Sequence, residues 1–358
     1  MHLLVNISAH GFGHLAQTAP VINALTGMLP QLRLTVRSAL SREQLAARIG
    51  TGFVHVAEAR DFGFVMHSAV DIDLAASARR YREFHADWPR RIAVEADWLR
   101  QHQVDALLCN VAYLPLAGAA RAGIPAAALC SLNWADLFTH YFGGEPWAAE
   151  IHAQMLTAYN GCKGFLRLTP GLPMAALHCR HDIAPIASIG RRDRPGVLRQ
   201  LGLGKSERLI LLAMGGMELP LPVQDWPKLY GLDWLVPTEL DSPREDVRCF
   251  DVPGLKFADL LASVDAVVTK PGYGTFVEAA CCGIPILYLQ RDDWPETPHL
   301  ASWLATHARS AVLTRERLLA GDFVETLQEL WSAPPPDLPS AGGASAAAHW
   351  MVQNLSLA

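Results

Sequence analysis

Two series of short apolar runs, each alternating with longer helical patterns, constrain this chain most. The first series runs through residues 3–8, 32–36, 53–56, 105–109, 125–130 and 164–168. The second starts afresh at 209–214 and continues through 234–236, 247–252, 266–269 and 284–289. Helical patterns fall between these runs. They include 14–28, 41–49 behind a Ser41 N-cap, 74–102 as one helix broken at Pro89, 115–122 and a loop–helix segment at 133–160. Strands alternating with helices imply parallel sheets with crossover helices. Two series imply two such sheets, which a chain of 358 residues can accommodate. The fold class expected is α/β: two Rossmann-like, doubly wound parallel-sheet domains facing across a cleft. The expected boundaries are 1–183 for the first domain, 184–197 for a linker and 198–340 for the second. A terminal helix at 341–358 follows a Pro/Gly/Ser-rich stretch and crosses back to the first domain. The run Arg191-Arg192-Asp193-Arg194 in the linker reads as a solvated face.

Composition narrows the function classes. Apolar residues make up 51% and charged residues 18%, enough for two cores and unlike a disordered chain. The net charge is −5 without a Lys/Arg stripe, so nucleic acid is not the expected partner. No uninterrupted apolar run reaches the ~18 residues of a membrane-spanning helix. The apolar start lacks a basic region and a cleavage site and reads as a buried strand. Seven scattered cysteines without a CxxC pair fit a reduced, cytoplasmic protein.

Two glycine-rich turns carry the chemistry. Ser8-Ala9-His10-Gly11-Phe12-Gly13-His14 joins the first strand to the first helix. Its glycines let the backbone approach a ligand, and the helix start offers N–H groups to an anion. His14 stands at that start and His10 just before it. A histidine there suits general-base work near neutrality. Gly11-x-Gly13-x-x-Ala16 also fits the dinucleotide fingerprint, but Arg37-Ser38 occupies the place of the acidic residue that binds ribose in nicotinamide enzymes. The second turn is Thr269-Lys270-Pro271-Gly272-Tyr273-Gly274-Thr275, leading into a helix with Glu278 one turn in. Backbone amides at Gly274 and Thr275 can hold a diphosphate, Lys270 adds charge, and Glu278 can accept from ribose hydroxyls. Gly215 and Gly216, after the first strand of the second series, form a further small-residue turn suited to phosphate or donor-sugar contact.

Other signals read as structural. Asp71-Ile72-Asp73 precedes a helix and reads as an N-cap rather than a metal motif. His178-Cys179-Arg180-His181 has no matching second ligand cluster, so no zinc site is expected. Trp88, Trp98 and Trp134 suit a core.

With these residues in view, the chain resembles the glycosyltransferase-like N-terminal portion of plant L-arabinokinases and its free-standing bacterial relatives. More distantly it is similar to the MurG and UDP-glycosyltransferase enzymes of GT-B type. The resemblance rests on His10-Gly11-Phe12-Gly13-His14, Asn133-Trp134-Ala135-Asp136, Arg167-Leu168, Gly272-Tyr273-Gly274-Thr275 with Glu278-Ala279, and Arg291-Asp292 leading to Glu296. It implies inverting sugar transfer from a nucleotide-diphosphate sugar to an acceptor of unspecified identity, with no metal or other cofactor. Donor binding is then expected at Gly13, Gly215, Gly216, Lys270, Gly272, Tyr273, Gly274, Thr275 and Glu278. Sugar or acceptor contacts are expected at Asn110, Asn133, Trp134, Asp136, Arg291, Asp292 and Glu296. Asn110 stands where relatives show Asp, and Gln17 where they show Arg. A nucleotide-sugar epimerase or hydrolase, or a non-catalytic nucleotide-sugar-binding module, are the alternatives on the same fold.

Overall fold

The computed structural model describes residues 1–68, 70–204, 206–215 and 221–357. The chain divides into two compact units. Unit 1 comprises Met1–His67, Asp71–Ile186 and Gly342–Ala358; unit 2 comprises Ser68–Val70 and Ala187–Ala341.

Unit 1 holds strands β1 (His2–Ile7), β2 (Arg33–Arg37), β3 (Val54–Val56), β4 (Ala106–Asn110), β5 (Ala126–Cys130), β6 (Gly164–Leu168) and β7 (Arg180–Ile183). They form one sheet in the order β3-β2-β1-β4-β5-β6-β7, with every pairing parallel. Leu3, Leu4 and Val5 are fully buried, as are Leu107 and Leu108 of β4. Helices cover both faces of such a sheet, so its central strands read as unbroken apolar runs. Each such side chain stabilises the fold by roughly 1.5–3 kcal/mol. The order reverses between β1 and β4, the point where open α/β sheets leave a crevice beyond their strand ends. The chain returns at its end with the Gly343–Asn354 helix, which packs on the Gly13–Met28 helix.

Unit 2 holds β8 (Arg208–Ala213), β9 (Leu232–Val236), β10 (Val247–Cys249), β11 (Ala266–Thr269), β12 (Ile286–Leu289) and β13 (Ser310–Leu313). Their order is β10-β9-β8-β11-β12-β13, again all parallel. The reversal falls between β8 and β11. Trp226, Trp234 and Phe323 anchor the core, packed edge to face with centroids 5.1–5.4 Å apart.

Two expectations need correction. The 74–102 segment is two helices, Leu74–His85 and Trp88–Gln101, with Pro89 in the first turn of the second. Proline is tolerated there because a first-turn N–H has no intrahelical partner. The 191–194 run is not uniformly a solvated face. Arg191 is 81% exposed, but Arg194 binds Asp265 at 2.5 Å and is mostly covered. Asp193 caps the Arg194–Gln200 helix by accepting from the Gly196 N–H at 3.0 Å. That helix falls partly inside the segment read as a linker.

Arg37 shows why β2 carries no acidic end. It is 1% exposed, donates to Asn6 Oδ1 at 2.7 Å, pairs with Glu95 and lies over the Trp98 ring at 4.2 Å. A buried charge persists only when paired and hydrogen-bonded in this way. Asp73, of the Asp71-Ile72-Asp73 motif, caps the Leu74–His85 helix through the Ala76 N–H at 2.8 Å.

Candidate functional site

In unit 1 the chemistry gathers at the β1/β4 reversal. His14 is the second residue of the Gly13–Met28 helix and is 6% exposed. Asn110, the last residue of β4, is fully buried. The His14 Nδ1 and Asn110 Oδ1 atoms are 2.7 Å apart. Asn110 Nδ2 donates to Gln17 Oε1 at 3.0 Å and to the His14 carbonyl at 3.3 Å. Gln17 Nε2 in turn donates to Ser131 Oγ at 2.8 Å. With both Nδ2 hydrogens directed at oxygens, Asn110 Oδ1 must be the acceptor and His14 Nδ1 the donor. Nε2 therefore carries the lone pair. Burial lowers the His14 pKa to about 4, outweighing the Asn110 hydrogen bond, so the ring is neutral at physiological pH.

The two departures noted in the sequence, Asn110 and Gln17, thus touch each other. A neutral amide pair stands at these two positions. It keeps the imidazole oriented, but it lacks the carboxylate that would stabilise an imidazolium.

Trp134 forms the wall beside this histidine. It is fully buried, with its ring centroid 5.8 Å from that of His14 and 5.4 Å, edge to face, from that of His10. Its indole N–H donates to Asp61 Oδ2 at 2.7 Å. Asn133 is also buried, and its Oδ1 caps the Trp134–Phe142 helix by accepting from the Asp136 N–H at 2.8 Å. Asn133 and Trp134 therefore support the site from beneath. Asp136 is half-buried, and burial raises its carboxyl pKa. Gly13 opens the helix, and His10 is half-buried beside it.

Asp61 escaped the sequence reading. It lies in an irregular segment and is half-buried. Its carboxylate accepts from Trp134 and Ser8, and burial raises its pKa to about 6 against both bonds. Gly63 holds this segment in place. Its φ is +58°, and a Cβ there would lie 2.8 Å from the Trp134 ring, so only glycine fits. Its carbonyl accepts from Tyr81 Oη at 2.7 Å.

Unit 2 gathers its own group at the β8/β11 reversal. Gly215 follows β8 with φ +79°, and a Cβ there would meet Lys270 Cε at 3.1 Å. Lys270 follows β11, and its pKa falls to about 8 through burial and then the nearby Arg291. Arg291 follows β12, is 7% exposed, and lies 4.4 Å over the Trp294 ring. Loops of three neighbouring strands thus bring two cations together. Gly272 is the extended N-cap of the Tyr273–Cys281 helix and provides no side-chain cap, leaving first-turn amides at Gly274 and Thr275 for an anion. Tyr273 and Gly274 are buried, Thr275 is half-buried, and Glu278 is 1% exposed. Glu296 is buried and accepts from the Trp294 indole at 3.3 Å; Asp292 is exposed and accepts from Gln290 at 2.7 Å. The residues grouped above as sugar or acceptor contacts therefore divide. Asn110, Asn133, Trp134 and Asp136 belong to unit 1, while Arg291, Asp292 and Glu296 belong to unit 2. Gly216 lies outside the described residues.

No family model matches the chain. It is 24% identical over 352 residues to L-arabinokinase of Arabidopsis thaliana, a match that covers 96% of this chain and 33% of that protein. The chain thus spans about a third of the length of that relative. Among solved structures it is similar to the glycosyltransferase of kitacinnamycin (TM-score 0.62, 17% identity, covering 99% of this chain and 98% of that one). It is also similar to the glycosyltransferase VinC in complex with dTDP (0.56, 16%, 100% and 96%). A putative UDP-N-acetylglucosamine 2-epimerase from Listeria monocytogenes is a further neighbour (0.56, 12%, 97% and 94%). These likenesses and the two all-parallel sheets show that the chain has the GT-B fold, with two Rossmann-like units. Among the described residues, no helix is long and apolar enough to cross a membrane.

Proposed function

We propose that this chain is an inverting glycosyltransferase that moves a sugar from a nucleoside-diphosphate donor to a hydroxyl of an acceptor. The observation that carries the reading is the 2.7 Å contact of His14 Nδ1 with Asn110 Oδ1 at the sheet's reversal point, an arrangement that leaves Nε2 as a proton acceptor. In this mechanism His14 Nε2 takes the proton of the attacking hydroxyl. The hydroxyl oxygen bonds to the anomeric carbon from the face opposite the diphosphate. The carbon–oxygen bond to the diphosphate breaks, and its electron pair leaves with the nucleotide. Displacement from the opposite face inverts the anomeric centre.

Unit 2 holds its own groups suited to a diphosphate. Charge develops on the departing diphosphate, and Lys270, Arg291 and the amides opening the Tyr273–Cys281 helix are the donors that would stabilise it. Glu278, one turn further on, would hold the ribose hydroxyls. VinC, which shares the fold, was solved with dTDP, and this supports a nucleotide site in this chain.

The test is a thermal-shift panel of nucleoside diphosphates and nucleotide sugars, followed by turnover with the best donor. A nucleotide at 100 times its Kd stabilises by about 2.7 kcal/mol, which a melting curve resolves readily. His14→Ala should leave that shift intact while turnover falls roughly 10²–10⁴-fold. Near-wild-type turnover in His14→Ala would remove the base from the account.

A further inference from the structure

Asp61 is a carboxyl that reaches the Trp134 wall of unit 1, and the mechanism above leaves it unused. Two of its hydrogen bonds come from neutral donors, the Trp134 indole at 2.7 Å and the Ser8 hydroxyl. Neither partner is exposed, since Trp134 is fully buried and Ser8 is 2% exposed. Asp61 itself is half-buried, less enclosed than either of the two groups that hold it. His14 lies against the same indole. Ser8 ties the two together: its N–H donates to the Asn110 carbonyl at 2.6 Å, and its Oγ accepts from the His10 N–H at 3.3 Å.

We propose that Asp61 is the acceptor-binding carboxylate of this site, accepting a hydrogen bond from a second hydroxyl of the acceptor while His14 takes the proton of the first. Two hydrogen-bond acceptors beside one aromatic wall call for a ligand with two hydroxyls. The acceptor class is therefore a polyol or sugar-like compound rather than a monohydric alcohol. This rests on the transferase reading above. Asp61 neither gains nor loses a proton in the step; it orients the ligand and must be ionised to do so.

That requirement has a pH signature. The titratable groups that feel Asp61 are Tyr81, Tyr113, Tyr159 and Cys109, each kept neutral by burial. Arg60, its neighbour in the chain, is turned to Glu58 at 2.7 Å and Glu95 at 3.4 Å. The Asp61 pKa near 6 lies above the His14 pKa near 4. Polyol transfer should therefore fall as pH drops through about 6, well before His14 protonates.

The experiment compares wild type and Asp61→Asn by nucleoside-diphosphate release with methyl glycosides and with ethanol as acceptors, across pH 4–8. Asparagine keeps an oxygen for the Trp134 indole, so the melting temperature should hold. Losing a charge-assisted bond should raise the glycoside KM roughly tenfold to a hundredfold. Ethanol transfer should fall less than glycoside transfer, calorimetric nucleotide affinity should stay within twofold, and the acid limb for the glycoside should move from near 6 toward 4. An unchanged glycoside KM together with an unmoved limb would overturn the role of Asp61 while leaving the transferase reading in place. Nucleotide binding without release to either acceptor class would overturn both.

Discussion

Asn110 is the most informative residue to change. It is fully buried and joins His14 to Gln17. Asn110→Ala leaves two buried groups without that partner, the His14 Nδ1–H and the Gln17 carbonyl oxygen. Each buried group left unsatisfied costs about 1–3 kcal/mol. The variant should lose roughly 3 kcal/mol, a fall of about 6–12 °C in melting temperature at the usual slope for a large domain. Turnover should drop more than stability implies, because the imidazole is no longer held with Nε2 as the acceptor; the expected loss is roughly 10²-fold or more. Asn110→Asp isolates the electrostatic part. A carboxylate at that distance favours the imidazolium and should raise the His14 pKa from about 4. With ethanol as acceptor, where Asp61 does not set the limb, the acid limb of turnover should then move alkaline of wild type. Gln17→Arg on that background should recover the stability lost by burying the new charge, because the guanidinium supplies a counter-ion. The assays are melting curves and turnover against pH for the single and double variants. Wild-type turnover in Asn110→Ala, or an unmoved limb in Asn110→Asp, would refute the claim that this hydrogen bond sets the base.

Three further outcomes follow from the geometry. Glu278→Ala should weaken nucleotide binding about tenfold to a hundredfold with Glu278→Gln intermediate, whereas calorimetry showing wild-type affinity in both would move the ribose site elsewhere. Lys270 is charged below its pKa of about 8, so nucleoside-diphosphate affinity should fall as pH rises through 8, and Lys270→Met should flatten that dependence. Protein stability should fall on acidification between pH 6.5 and 4. His14 and His85 both have pKa values lowered to about 4, chiefly by burial, so the unfolded chain binds more protons in that window. The contribution of His14 is on the order of 3 kcal/mol, present above 6.5 and lost toward 4. Asp61, with its pKa raised, acts in the opposite direction and partly offsets this loss. Chemical denaturation across pH, with His85→Gln as the control for the second histidine, measures the slope.

The parallel sheets were legible because their strands are buried on both faces, so β1 and β4 read as continuous apolar runs. The strand-to-helix turns at His14 and Gly272 were legible because glycines bracket them. Their tertiary partners were less so. Asp61 sits in a segment with no periodicity, and nothing local marks it as the partner of Trp134, 73 residues away. Arg37 and Glu95 look like ordinary charges until packing pairs them across 58 residues. The Arg194 guanidinium looks solvent-bound for the same reason, since Asp265 lies 71 residues on. The edge strand β7, Arg180–Ile183, has its first three residues exposed, so hydrophobic patterning does not reveal it. The Asn110–Gln17 contact was the least accessible. Asn110 and Gln17 lie 93 residues apart in the chain, and only the fold shows that they touch.

The account rests on inverting transfer with His14 as base. The most direct measurement is proton NMR of the reaction in progress, using an α-linked nucleotide sugar chosen from the binding panel and a methyl glycoside acceptor. The prediction is a β-linked product formed with one nucleoside diphosphate per glycoside, and formed roughly 10²–10⁴-fold more slowly by His14→Ala. An α-linked product, or near-wild-type turnover in His14→Ala, would contradict it.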